Sequence, residues 1–211
     1  MRTRGKIAPL PAAVWIFVLF WTLGPGSAAG QSGARQPGAV VFVGDSLTAG
    51  IDWSALFERP RLYNHGVAGD GTVEILARLG PVIARAPARV FIMAGVNDLA
   101  RGRGQEEIVR TYRRITATLA QAVPGAELFV QGVLPVDDVR LRARVPNRDI
   151  IRLNERLRAL TEEQGLVYID LFPRFVGPDG RLKPELTPDG LHLTAPGYQV
   201  WKQALAPYLA D

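Results

Sequence analysis

There is no cysteine in this chain. That absence excludes disulfides, so an exported form must draw its stability from its core alone. It also removes the cysteine that a bacterial lipoprotein carries after its apolar leader for lipid attachment. Histidine is nearly as scarce: His65 and His192 are the only two, so a catalytic imidazole has two possible sources. A strong charge of one sign is missing as well. The formal net charge of +5 includes Arg2, Arg4 and Lys6, which lie in an opening stretch of thirty residues without a single acid. Without those three, 22 positive residues face 20 negative ones. A body so near neutrality has no basic footprint for nucleic acid, and no such partner is expected. Internal repeats and low-complexity tracts are also lacking.

What is present fits one domain: 211 residues, of which 47% are apolar, enough to bury a real core. The positive opening is followed by an apolar run from Val14 to Trp21, then by small residues at Gly26, Ser27, Ala28 and Ala29. Charged, apolar and small-residue regions in that order read as a secretory signal over residues 1–30. The alternative is an uncleaved membrane anchor, although Pro9 and Pro11 interrupt it and its length lies near the lower spanning limit. A Gly/Ser/Gln/Pro linker follows over 31–38, and one domain is expected over 39–211. The expected location is periplasmic or secreted, with no membrane contact beyond that N-terminal segment.

Beyond the linker, short apolar runs alternate with helical patterns. Strands are predicted at Ala39 to Val43, Leu62 to Asn64, Arg89 to Met93, Glu127 to Gln131 and Leu166 to Ile169. Helices are predicted at Thr72 to Ala84, Glu106 to Ala122, Asn147 to Glu163 (closed by Gly165) and Gly197 to Leu209. Strands separated by helices imply a parallel sheet covered on both faces. Ligands in such sheets bind beyond the carboxyl ends of the strands.

Several chemically capable residues fall at that edge. The first strand ends in Gly44-Asp45-Ser46-Leu47, where the Ser46 hydroxyl is a candidate nucleophile and, equally, a candidate helix cap. The G-x-S-x-G elbow of α/β-hydrolases is absent around Ser46. The third strand ends in Gly95-Val96-Asn97-Asp98. The Asn97 amide suits a developing oxyanion, and it also suits a turn or cap. The second strand leads into a loop with Gly66, Gly69 and Gly71, where a Gly69 N–H can face an anion or the loop can simply reverse the chain. Near the C-terminus, Asp189 precedes His192 by three residues. An acid so placed can hold Nδ1–H and leave Nε2 to take a proton from serine; otherwise His192 is a polar residue at a helix entrance. His65 has no carboxylate as well placed and is read as structural. Together these residues supply a nucleophile, a base, an orienting acid and oxyanion donors, the set that acyl transfer requires.

The same four segments, in the same order, resemble the blocks of the SGNH (GDSL) hydrolase family, from about Val40 to the C-terminus. The resemblance implies a flavodoxin-like three-layer α/β/α domain with a five-stranded parallel sheet, and hydrolysis of esters, thioesters or acetylated sugars with no cofactor and no metal. It assigns Ser46, Asp189 and His192 as the triad, and the Ser46 and Gly69 N–H groups with the Asn97 amide as the oxyanion hole. Asn97 to Ala100, Gln131 to Val136 and Tyr168 to Leu171 look like acetylhydrolase members, those similar to platelet-activating-factor acetylhydrolase and bacterial sialate O-acetylesterase. That implies a short acyl group, acetyl, on a sugar or lipid. A lysophospholipase or thioesterase of the same fold is the runner-up, and a carbohydrate-binding module without turnover is the non-enzymatic alternative. Asp45 and the loop arginines Arg140, Arg142 and Arg144 are candidate substrate contacts. In an extended segment the three arginines would share one side, facing an anionic substrate; the alternative is a solvated surface.

Overall fold

The computed structural model describes residues 38–142 and 144–210. The segments read as export signal and linker, apart from Gly38, lie outside the described residues. Five strands form one parallel sheet: β1 (Val40–Gly44), β2 (Leu62–Gly66), β3 (Arg89–Met93), β4 (Glu127–Gln131) and β5 (Val167–Ile169), in the spatial order β2-β1-β3-β4-β5. The helices among the described residues are α1 (Ser46–Ala49), α2 (Trp53–Phe57), α3 (Thr72–Ala77), α4 (Gly80–Ile83), α5 (Val96–Ala100), α6 (Gln105–Ala122), α7 (Asn147–Gln164), α8 (Phe172–Phe175) and α9 (Ala195–Leu209). The fold is the three-layer α/β/α arrangement the alternating pattern implies.

Alternation along each strand builds the two outer layers. Val41, Val43, Val90, Ile92 and Val130 point to one face and pack against Ile75, Val82, Ile115, Leu119, Leu153 and Leu157 from α3, α4, α6 and α7. Phe42, Phe91 and Phe129 occupy paired positions on β1, β3 and β4 and point to the other. Their rings stack at 5.1 Å and 4.5 Å, and Phe42 stacks on Trp53 of α2 at 4.1 Å. Trp201 of α9 meets Trp53 edge-on at 5.1 Å. Offset and edge contacts of this kind are worth about 0.5–1.5 kcal/mol each beyond area burial. The one polar atom of the buried Trp201 ring is satisfied: Nε1 donates to Gln131 Oε1 at 2.7 Å.

Two of the predicted helices differ by more than one residue from the sequence reading. The continuous helix expected from Thr72 to Ala84 is broken between α3 and α4. Pro81 explains the break: it has no N–H for a helical bond to Ala77, and its ring crowds that carbonyl. The terminal helix starts earlier than expected, at Ala195, because the Thr194 side chain accepts from Gly197 N at 3.3 Å and Pro196 fits the first turn. The β3 and β4 spans match the sequence reading residue for residue, and α7 closes on left-handed Gly165 (φ 66°) as expected. Among the described residues, no helix is long and apolar enough to cross a membrane.

Candidate active site

All the chemically capable segments emerge at the carboxyl edge of the sheet, around the central strands β1 and β3. β1 ends at Gly44, and the chain turns at once into α1. A β-carbon at Gly44 would stand 2.1 Å from Thr48 Oγ1 and 2.6 Å from the Met93 carbonyl, so only glycine admits this turn. Ser46 is thereby placed at the first position of α1. The cap of that helix is Asp45, whose Oδ1 accepts from Leu47 N at 2.9 Å. The capping role considered for Ser46 therefore falls to its neighbour.

The loop before α9 brings His192 across 146 residues of sequence to Ser46, with Nε2 3.1 Å from Oγ. On the far side of the ring, Nδ1 lies 2.7 Å from Asp189 Oδ2. The other oxygen, Asp189 Oδ1, accepts from the backbone N–H of Leu191 at 2.9 Å and of His192 at 2.8 Å. Partial burial alone would raise the Asp189 pKa. The bonds from the imidazole and the two amides outweigh it and hold the carboxyl at about 2. Asp189 is thus an anion over the working range, and its bond to Nδ1 selects the tautomer that leaves Nε2 as acceptor for the serine proton. The His192 and Asp189 side chains are 45% and 49% exposed, so the dyad sits at an open rim.

The loop after β2 is joined to the end of the nucleophile strand, where Val67 N donates to Gly44 O at 3.0 Å. Gly69 has φ +84°, a conformation that disfavours any residue with a β-carbon. Among the described residues, neither the Ser46 nor the Gly69 backbone N–H finds an intramolecular acceptor, so both are available to an incoming anion. The third expected donor, Asn97, stands in the first turn of α5, with Nδ2 donating to the Asp70 carbonyl at 2.9 Å and one amide hydrogen left over. The exit of β3 toward Asn97 is tethered by the buried Tyr112 hydroxyl, which donates to Ala94 O at 2.9 Å and accepts from Ala94 N at 2.7 Å.

Asp98 was not singled out from the sequence, yet it is fully buried next to Asn97. Its carboxylate accepts from Thr72 N at 2.9 Å, from Thr72 Oγ1 at 2.9 Å and from Arg103 Nη1 at 2.6 Å. It therefore ties the asparagine segment to the end of the glycine loop. The only sequence signal for it was its place directly after Asn97.

Two expected substrate contacts need correction. Asp45 is 1% exposed and spends its carboxylate on the α1 cap, leaving no face for a ligand. Burial, only partly offset by the Leu47 amide, pushes its pKa up to about 6. The arginine loop is not extended. Asp137 accepts from Arg140 N at 3.0 Å and from Leu141 N at 2.9 Å, and Arg142 N donates to Val139 O at 3.0 Å. Residues 138–142 are consecutive turns with Arg142 at φ +54°, so the alternation that would align the three arginines is lost. Arg140 lies against the turn that carries the dyad: a β-carbon on Gly190 would lie 3.4 Å from its Cδ. Asp137 N also donates to Gly190 O at 2.8 Å, which fastens this loop to the Asp189–His192 turn. His65 is in β2, with burial and then Arg85 and Arg78 lowering its pKa. Among the described residues, no cluster of three or more histidine or carboxylate side chains is placed to hold a metal.

Residues 42–200 match the model of the GDSL-like lipase/acylhydrolase family. The chain is 32% identical over 166 residues to platelet-activating factor acetylhydrolase IB subunit alpha1 of Homo sapiens, covering 75% of this chain and 70% of that protein. A GDSL-like lipase from Bacteroides thetaiotaomicron superposes with a TM-score of 0.70 at 27% identity, over 81% of this chain and 86% of that one. An acetylxylan esterase from Geobacillus stearothermophilus, at 19% identity, shares the fold with a TM-score of 0.69, over 82% of this chain and 95% of that one.

Proposed function

The chain belongs to the GDSL-like lipase/acylhydrolase family and is a hydrolase acting on ester bonds, and on that premise we propose that it works through an acyl-enzyme on Ser46 and removes short acyl groups, acetyl foremost. The observation that carries the mechanism is the relay from Ser46 Oγ to His192 Nε2 at 3.1 Å and from Nδ1 to Asp189 at 2.7 Å. Ser46 attacks the ester carbonyl as its proton passes to His192. The negative charge that develops on the carbonyl oxygen is met by the Ser46 and Gly69 N–H groups and the Asn97 amide. His192 returns the proton to the departing alcohol. A water molecule then gives its proton to His192 and attacks the acyl carbon, and His192 passes that proton to Ser46 Oγ as it leaves, releasing the acid and restoring the free enzyme.

The acetyl preference is supported by the acetylhydrolase named among the relatives. An open rim suits an ester carried on a larger alcohol, a sugar or a lipid, with the acyl end directed inward. Arg140, against the turn that carries the dyad, is the arginine of the loop placed to meet a negative charge on that alcohol. The order of charged, apolar and small residues over 1–30 supports export, which N-terminal sequencing from the native host tests through loss of residues up to a point between Gly26 and Gln31.

The decisive experiment compares wild type with Ser46→Ala on p-nitrophenyl esters of increasing chain length. Wild type should be labelled at Ser46 by a fluorophosphonate and should prefer acetate. Ser46→Ala should lose on the order of a million-fold in kcat with the fold intact. Preference for long chains would favour the lysophospholipase or thioesterase reading, and a wild type that neither labels nor turns over would favour the binding module.

A further inference from the structure

The helix break at Arg78 does more than follow from Pro81. Arg78 stands at the end of α3, and its guanidinium reaches back under the sheet edge. Nε donates to Asp70 Oδ2, Nη1 to the His65 carbonyl at 2.8 Å and Nη2 to the Gly44 carbonyl at 3.0 Å. Those three acceptors belong to different parts of the site. Gly44 closes β1, two residues before Ser46. His65 is next to last in β2, and Asp70 directly follows Gly69. The ion pair is largely shielded, with Arg78 25% and Asp70 12% exposed, so water competes weakly for these bonds.

We propose that Arg78 is a positioning residue for the reaction: one guanidinium fixes the end of the nucleophile strand relative to the glycine loop, and so holds the Ser46 and Gly69 N–H groups in register on one oxyanion. This rests on the reading of those two amides as oxyanion donors. The rest of the loop is held in keeping with it. Arg101 Nη2 donates to the Gly69 carbonyl, and Asn97 Nδ2 to the Asp70 carbonyl at 2.9 Å. Gly44 O also accepts from Val67 N at 3.0 Å, so strand end and loop are joined twice, once by backbone and once by Arg78. A planar guanidinium can present N–H groups to three acceptors at fixed angles. A lysine ammonium at the end of a flexible stem cannot. Arg78→Lys therefore keeps the charge and loses the geometry.

The test uses the full chain. Arg78→Lys, Arg78→Ala, Asp70→Asn and Asn97→Ala are compared with wild type on p-nitrophenyl acetate, in preparations with wild-type near-UV circular dichroism. A misplacement of about 1 Å can cost on the order of a hundredfold. Arg78→Lys is accordingly expected to lose about ten- to a hundredfold in kcat with KM changed less than about threefold. Asp70→Asn, which keeps both carbonyl contacts, should lose less. Methylguanidinium added to Arg78→Ala should restore part of kcat and leave wild type unaffected. A purely structural arginine would lower Tm without this split between kcat and KM and without rescue. Wild-type kcat in folded Arg78→Lys, or a loss confined to KM, overturns the proposal while Asn97→Ala remains impaired. If Asn97→Ala also keeps wild-type kcat, the oxyanion reading itself fails, and the clamp falls with it.

Discussion

Replacing Asp45 by Asn should make the protein more stable above neutral pH and leave the pH dependence of its folding visibly altered. Asp45 is buried to 1% exposure, and its folded pKa is about 6 against an ordinary value of 3.8. A carboxyl that holds its proton more tightly folded than unfolded stabilises the fold at low pH, and that contribution is lost as pH rises through the folded value. The shift is about two units, and each unit is worth about 1.36 kcal/mol, so the ionised form costs about 3 kcal/mol at pH 8. Asn caps a helix about as well as Asp and can still accept from Leu47 N. It carries no charge to desolvate. Burying its amide nitrogen adds an offset that does not vary with pH and so leaves the slope untouched. Urea denaturation of wild type and Asp45→Asn, run from pH 4 to pH 8, reads the difference directly. The stability of the variant relative to wild type should rise by about 2–2.5 kcal/mol across pH 4–7, the remainder having been lost below pH 4, and level off above. Asp189, held at about 2, is present in both proteins and cancels. A difference that stays flat with pH would falsify the assignment of this carboxyl as a desolvated cap.

Asn97→Ala should lower kcat by about a hundred- to a thousandfold with a smaller change in KM, since the amide strengthens its bond only as charge develops; an effect on KM alone would make Asn97 a substrate-positioning group. Asp189→Asn should cost about ten-thousandfold in kcat by releasing the wrong imidazole tautomer. Because Asp189 stays ionised down to about pH 2, any limb that Asp189→Asn removes from the wild-type pH–rate profile should lie below pH 3, and a limb near pH 4 that this variant abolishes would count against its role. Trp201→Ala should destabilise by about 3–5 kcal/mol in urea unfolding, because it opens the aromatic layer and orphans Gln131 Oε1; a loss below about 1 kcal/mol would mean the ring is not packed as described. Arg140→Gln should reduce kcat/KM several-fold for an anionic acetyl ester, less so at high salt, while a neutral ester of similar size is unaffected; equal loss for both would remove Arg140 from recognition.

Much of the fold is legible in the residues because local patterns state it. Arg89–Met93 and Glu127–Gln131 are apolar runs bounded by loop residues, and buried parallel strands need nothing more. The three- and four-residue spacing of buried positions in α6 and α7 and the left-handed Gly165 fix helices whose length is set by burial of one face. The candidate site was legible for a related reason: Ser46, Gly69, Asn97, Asp189 and His192 each follow or precede an element whose end is marked in sequence, and the edge rule brings those ends together. Side-chain geometry was not legible, because it depends on partners far along the chain. The spacing of Asp189 and His192 is local, whereas the 3.1 Å approach to Ser46 spans 146 residues and is decided by how α9 docks on the sheet. Asp45 reads as a polar residue beside a nucleophile until the fold buries it and turns it into a cap. The arginine loop alternates in sequence, but Asp137 gathers its amides into turns. Arg78 is an ordinary helix residue by composition, and only the convergence of β1, β2 and the glycine loop gives its guanidinium three acceptors. Local periodicity and chain breaks are enough to set which elements form and which chemical groups reach the edge of the sheet. Whether those groups end up buried, paired or free depends on the desolvation and contacts created when distant segments pack.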